Sequence, residues 1–174
     1  ATETKTIKRY AFRERGMYYA TSIGYLGGNN LQGGYTDAFN IHLVSGYQFN
    51  RWLGAGMGVG VDYYNVNLGS VMPVYLEGRG YLKKANFSPF YQVAAGWGFP
   101  IQGEESRYDE SKGGYYLAPA LGLRFGGSKE ANFFTSIGLQ WQRGTYTQEF
   151  GDGISQNEDR YTFRRFNFKV GVLF

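Results

Sequence analysis

Eight stretches of this chain alternate apolar and polar residues, and each is long enough to cross a hydrocarbon layer as a tilted strand. Such a strand needs about nine to eleven residues. Alternation with a period of two places the two sets of side chains on opposite faces of the strand. The segments lie at residues 17–26, 38–49, 52–64, 72–82, 89–101, 115–125, 132–142 and 161–174.

The links between these segments also alternate. Most of the longer links come first, third, fifth and seventh, as at residues 102–114 and 143–160, whereas the second link is only residues 50–51. Short turns on the side that holds both chain ends, with longer loops opposite, are typical of outer-membrane barrels, whose smallest even strand number is eight. The sequence therefore predicts an all-β fold, an eight-stranded antiparallel up-and-down transmembrane β-barrel.

One face of the segments carries no acidic residue and gathers aromatic side chains near both strand ends, such as Tyr25 and Trp141 at one end and Phe49 and Phe125 at the other. Two aromatic belts are expected where a barrel meets the two membrane surfaces. A soluble sandwich or lipocalin-like barrel is the alternative, and it would turn this apolar face inward. The mean hydropathy of −0.41 does not separate the two, because a polar lumen dilutes the membrane signal.

Composition excludes several classes of protein. The absence of cysteine rules out a disulfide framework, a thiolate nucleophile and a cysteine-based zinc site. The sequence also lacks an apolar run of about 18 residues, which a transmembrane helix would need. The 27 Gly, 16 Tyr and 14 Phe instead favour strands and interfacial aromatic belts.

The sequence FNFKVGVLF at residues 166–174 resembles the C-terminal signal strand of bacterial outer-membrane proteins. Over residues 16–174 the chain is similar to the small eight-stranded barrels of the OmpA transmembrane domain and OmpX type. The resemblance implies that the barrel-assembly machinery recognises the last strand. The residues of this assembly signal are Phe166, Phe168, Val170, Val172 and Phe174. Residues 1–15 are then a basic periplasmic tail, and residues 16–174 form the barrel.

The polar face predicts a filled lumen. Six charged residues share it and are expected to pair as an ionic plug, because unpaired charge is costly in a narrow interior. Four glycines at positions 54, 56, 58 and 60 are expected to leave room for bulky side chains on the fourth strand. The predicted ionic network consists of Asp62, Glu77, Arg79, Arg124, Arg165 and Lys169.

The sequence offers little for catalysis. The only histidine, His42, lies three residues before Ser45, so the two side chains point to opposite faces of a strand and cannot act as base and nucleophile. The GAGMGVG run at residues 54–60 lacks phosphate-loop spacing. We therefore predict no catalytic residue, no cofactor and no metal site. Pro119 lies in the sixth segment and predicts a local bulge there.

These features lead us to expect an integral protein of the bacterial outer membrane with both termini in the periplasm, acting as a structural or interaction protein. The alternatives are a lipid A-modifying enzyme or a small pore. The expected partners are outer-membrane lipid and lipopolysaccharide, the barrel-assembly machinery during biogenesis, and other membrane or periplasmic proteins that bind the basic tail or the outer loops. No nucleic acid partner is expected.

Overall fold

The computed structural model describes residues 12–29, 35–64, 70–101, 110–126, 130–149 and 156–174. Within these ranges there is no helix, and therefore none that could cross a membrane. The strands are β1 (Gly16–Asn29), β2 (Tyr35–Asn50), β3 (Leu53–Tyr64), β4 (Ser70–Tyr81), β5 (Phe87–Ile101), β6 (Glu110–Lys112), β7 (Gly114–Phe125), β8 (Asn132–Glu149) and β9 (Gln156–Leu173).

The sheet closes on itself. Each strand pairs antiparallel with its neighbours, and β9 pairs with both β1 and β8. The three-residue β6 pairs with β8, as β7 does, so β6 and β7 together form a single strand of the wall. The wall therefore has eight strands, and the predicted fold class is confirmed.

The strands are staggered around the barrel. Paired residues point to the same face, and following the pairs once around from Gly16 leads back to β1 at Leu26, ten residues further along the strand. An eight-stranded barrel has strands tilted by about 35–45° and an interior just wide enough to be filled by side chains. The path runs through Gly16, Gln48, Gly54, Arg79, Gln92, Ala120, Gly138, Asn167 and Leu26.

The end of the barrel that carries Phe12 and Phe174 is called the near end, and the opposite end the far end. At the near end β2 turns into β3 through residues 51–52, and β4 into β5 through residues 82–86. Phe174 prolongs the pairing of β9 with β1, since its N–H donates to the Tyr19 carbonyl over 2.8 Å and its carbonyl accepts from the Tyr19 N–H over 3.1 Å. Parts of the longer loops predicted opposite the chain ends, at residues 30–34, 65–69, 102–109 and 150–155, lie outside the described residues.

The bulge predicted at Pro119 is not found there, so this prediction is wrong. Pairing between β7 and β8 lapses at residues 118–119, but the register is the same at Leu117↔Trp141 and at Ala120↔Gly138. The lapse agrees with the backbone donor that proline lacks. The register shifts instead around Gly113. Moving four residues along β6–β7, from Lys112 to Tyr116, corresponds to moving only three residues along β8, from Thr145 to Gln142.

Candidate functional site

Side chains inside the barrel are polar and buried, whereas those outside are apolar and exposed. Asp62 and Arg124 are fully buried, while Met57 and Leu121 are each 66% exposed. A continuous apolar outer surface of this kind is typical of a membrane-embedded barrel. The soluble alternatives would place their apolar face inside, so the structure excludes them. The lumen is the candidate functional site.

The middle of the lumen is organised around His42. Its Nε2 lies 3.0 Å from Asp62 Oδ1, and its Nδ1 lies 2.8 Å from the Tyr75 hydroxyl. The carboxylate oxygen is the acceptor, so Nε2 carries the hydrogen; in the neutral imidazole Nδ1 then accepts from the Tyr75 hydroxyl. Lys169 Nζ also lies 3.4 Å from Nδ1, where it competes with the Tyr75 hydroxyl for the single lone pair of this nitrogen. Both nitrogens of the imidazole are therefore engaged within the protein.

The same network continues across the barrel. Gln140 Nε2 donates to Asp62 Oδ2 over 2.7 Å, and Asn167 Nδ2 donates to Gln140 Oε1 over 3.0 Å. Together with Tyr75, His42 and Lys169, these side chains form the His42 network. Its members come from β2, β3, β4, β8 and β9, so the network joins opposite walls of the barrel.

A second cluster lies closer to the near end. Arg79 Nε donates to Glu77 Oε1 over 2.7 Å, and Arg79 Nη2 contacts the same oxygen over 2.5 Å. Both side chains are almost completely buried. The Arg79 guanidinium also lies 4.7 Å from the centre of the Tyr18 ring and 5.9 Å from that of Phe134. The two rings thus line the Arg79 side of the ion pair, and their faces attract the guanidinium.

An arginine also lies toward each end of the lumen. Arg124 donates to the carbonyls of Gly126 (2.7 Å) and Ala85 (2.8 Å), and its guanidinium lies 3.7 Å from the centre of the Phe12 ring. Phe12 precedes β1, so this segment covers part of the near mouth. Toward the far end the Arg165 guanidinium lies 4.4 Å from the Tyr64 ring.

The six charged residues singled out from the sequence are all at least 93% buried in the lumen. Glu77 pairs with Arg79, whereas Asp62 and Lys169 both contact His42. The central position of His42 and the bridging roles of the Gln140 and Asn167 amides were not predicted from the sequence. Alternation placed these side chains in the lumen, but cross-lumen partners depend on strand stagger, which the sequence pattern does not reveal.

The β3 glycines make room for side chains from both neighbouring strands rather than from β4 alone. A Cβ at Gly58 would lie 2.2 Å from the Tyr75 ring, as the sequence argument expected. At Gly60, however, it would lie 2.7 Å from the His42 ring, and at Gly54 it would lie 2.3 Å from Gln48 Oε1, both on β2. The absence of a side chain at Gly60 therefore leaves the space that the His42 ring occupies.

A small cavity separates the two clusters. Its volume is about 10 Å³, and Glu77, Lys169, Gln92 and Ser136 contribute to its lining. Such a volume is at the lower limit of what holds one water molecule. Ser45 is exposed on the outer face, and no group of three His, Asp or Glu side chains among the described residues is placed to hold a metal ion. The described side chains therefore leave little free space in the middle of the lumen.

Comparison with known proteins gives structural matches only. No family model matches the chain, and neither does any of the curated proteins. The crystal structure of Neisserial surface protein A superposes with a TM-score of 0.69 at 11% identity, covering 91% of this chain and 96% of that one. The outer membrane protein OprG from Pseudomonas aeruginosa superposes with a TM-score of 0.61 at 12% identity, covering 93% of this chain and 96% of that one.

A third match is the solid-state NMR structure of the outer membrane protein AlkL in DMPC lipid bilayers. It gives a TM-score of 0.57 at 14% identity, covering 100% of this chain and 96% of that one. At such identities the likeness concerns the fold. The chain therefore shares the small eight-stranded outer-membrane barrel fold, in agreement with the resemblance noted from its sequence.

Proposed function

We propose that this chain, which has the fold of the small outer-membrane barrels, acts in the bacterial outer membrane as a structural or interaction protein with a closed lumen. The observation that carries the proposal is the His42 network, which crosses the lumen through side chains of five strands. A water path along the axis would have to break several buried hydrogen bonds and separate buried charges at once, which is costly in a low-dielectric interior.

The same network argues against catalysis. A general base needs a free nitrogen within reach of its substrate, but both nitrogens of His42 have protein partners and the residue is 1% exposed. No serine shares its hydrogen bonds among the described residues. These facts favour a non-enzymatic protein over a lipid A-modifying enzyme.

The surfaces left for function are the outer wall and the two rims. We expect both termini to face the periplasm, because the short turns at residues 51–52 and 82–86 lie at the same end as Phe174. The wall then contacts lipid and lipopolysaccharide, and the β9 series ending at Phe174 meets the barrel-assembly machinery. The basic tail and the outer loops are the proposed contacts for other membrane or periplasmic proteins.

Conductance in planar bilayers tests the closed lumen. The purified chain should first show the gel shift between boiled and unboiled samples that a stable closed barrel gives, which verifies that it is folded. Wild-type protein should then show negligible single-channel current. Large, steady currents from the folded protein would overturn the proposal and favour the pore. Proteins that co-purify in mild detergent would identify the interaction partner.

A further inference from the structure

Several hydrogen bonds hold the short turn between β2 and β3 at the near end. The N–H groups of Trp52 and Leu53 both donate to Asn50 Oδ1, over 2.8 and 3.0 Å. The Arg51 carbonyl accepts from the Tyr81 N–H over 2.7 Å. These bonds fix the turn and tie it to the end of β4.

A tyrosine from a more distant strand holds the same turn. Tyr91, on β5, donates its hydroxyl to the Trp52 carbonyl over 2.5 Å and passes over β4 to reach it. It passes at Gly80, where a Cβ would lie 2.1 Å from the Trp52 carbonyl oxygen and 2.5 Å from the Tyr91 hydroxyl. A side chain at Gly80 would therefore displace this contact, and the turn is preorganised by three strands.

The fixed turn presents a cation on an aromatic ring. The Arg51 guanidinium lies 4.8 Å from the centre of the Trp52 ring, which is 51% exposed at the edge of the barrel wall. Arg51 Nε is buried and has no hydrogen-bond partner in the protein. Stacking on a ring keeps a guanidinium oriented while leaving its charge available to an outside anion.

More positive charge lies on the neighbouring turn. Lys83 and Lys84 are exposed, and the Lys83 N–H is anchored to Ser88 Oγ over 3.1 Å. Because the Tyr81 N–H bonds to the Arg51 carbonyl, the two turns lie side by side on the rim. The charged side chains of the described residues before β1 and in the near-end connections are Arg13, Arg15, Arg51, Lys83 and Lys84 against Glu14 and Glu130.

The position of these cations relative to the membrane is set by their apolar neighbours. Phe49 and Phe87 flank the two turns and Leu82 is the first residue of the second turn; each is between 45% and 50% exposed. Exposed apolar residues mark the hydrocarbon, and tryptophan prefers the headgroup level. The cations therefore lie at the depth of the lipid phosphates rather than in bulk water.

We propose that Arg51, Lys83 and Lys84 form a binding site for the phosphate of an anionic phospholipid such as phosphatidylglycerol. The planar Arg51 guanidinium would donate two N–H groups to the phosphate oxygens, and the lysines would add positive charge. The Trp52 ring would lie beside the glycerol and the upper acyl chain. The site faces the near-end leaflet. It goes beyond the proposed function, because it does not depend on whether the lumen conducts.

Lipid titration of the full-length folded barrel in detergent, followed by native mass spectrometry, tests the site. Phosphatidylglycerol should bind more tightly than zwitterionic phosphatidylcholine of the same chain length. Each of Arg51→Gln, Lys83→Gln and Lys84→Gln should weaken phosphatidylglycerol binding about fivefold. Arg51→Lys should bind phosphatidylglycerol more weakly than wild type, because lysine keeps the positive charge but lacks the two parallel N–H donors of the guanidinium. The two lysine variants change only exposed side chains, so the test survives if Arg51→Gln does not fold.

The matched control removes charge at the far end through Arg143→Gln and Arg164→Gln. It should leave phosphatidylglycerol binding unchanged. Equal affinity for both lipids, or an equal loss in the control, would overturn the site. Full competition by millimolar inorganic phosphate would show that free phosphate rather than a lipid is recognised. Binding of lipopolysaccharide but not phosphatidylglycerol would place the phosphate source in the other leaflet, and either result refutes the proposal as stated.

Discussion

Replacing Glu77 with alanine should be among the most damaging single changes to the lumen. The carboxylate is the hydrogen-bonded partner of Arg79, at 2.7 Å from Nε, and both side chains are at most 4% exposed. Removing one half of a buried ion pair typically costs about 3–5 kcal/mol, because the remaining charge is left without its partner. The rings of Tyr18 and Phe134 still attract the guanidinium, but this cation–π attraction offsets only about 1–2 kcal/mol of the cost.

Water beside Glu77 would lower the free-energy cost of this substitution. Glu77 lines the cavity of about 10 Å³, so truncation to alanine enlarges a polar space that already borders Lys169. If water enters that space from an end of the barrel, it solvates Arg79 and the loss should fall to about 1 kcal/mol. The measured value therefore reports whether the lumen around Glu77 is dry.

The assay is reversible unfolding in urea, in lipid vesicles, for wild type, Glu77→Ala, Arg79→Met and the double variant. The cycle should give a coupling energy of about 2–3 kcal/mol between the two positions. The control Glu130→Ala removes an exposed carboxylate at the near end and should change stability by less than about 1 kcal/mol, the most that an exposed ion pair usually contributes. In planar bilayers Glu77→Ala should show a small current that disfavours cations, because Arg79 and Lys169 then dominate the lumen charge. A loss below about 0.5 kcal/mol with no change in current would refute the buried ion pair as a structural element.

Three further changes are expected to separate the roles of wall and lumen. Gly58→Ala should destabilise the barrel by about 1–3 kcal/mol in the same unfolding assay because its Cβ would lie 2.2 Å from the Tyr75 ring, whereas Gly78→Ala meets no atom within 4 Å and should be neutral or slightly stabilising. His42→Ala should lower stability by about 1–3 kcal/mol and leave lipid A acylation in cells unchanged, as mass spectrometry of extracted lipid would show; a change in acylation that depends on His42 would favour the enzyme. Deleting Phe174 removes two backbone hydrogen bonds and should slow assembly in pulse-labelled cells more than it lowers the stability of the folded barrel, and equal effects would argue against its role as a signal.

The wall was predictable because its physics is local. Exposed residues such as Ile23, Met57 and Phe168 recur at every second position, and each needs only to face lipid, whatever its neighbour. The alternation therefore predicted the strand number and the two faces. It could not predict that β8 continues to Glu149 or that β9 begins as early as Gln156. The polar extensions of these strands at the far end lack the apolar face that marks a membrane strand.

The lumen was predictable only in composition. That Glu77 and Arg79 face inward follows from parity, and their i, i+2 spacing on one strand makes the pair local. The contacts of His42 are different, since Asp62 Oδ1 is twenty residues away and Lys169 Nζ is 127 residues away along the chain. Meeting across the axis depends on the ten-residue stagger of the barrel, and a slip of two residues in any one register would keep every face correct while separating these partners.

A barrel needs only small or apolar side chains inside to be filled, so a network that joins five strands through Asp62, His42 and Gln140 is more than filling. Its bonds form only when the registers are correct, and each misregistered closure would bury Asp62 or Lys169 without its partner at a cost of several kcal/mol. The network thus penalises wrong closures as well as stabilising the right one. Such selection of one register fits the proposed function, in which the wall and rims rather than the interior meet other molecules.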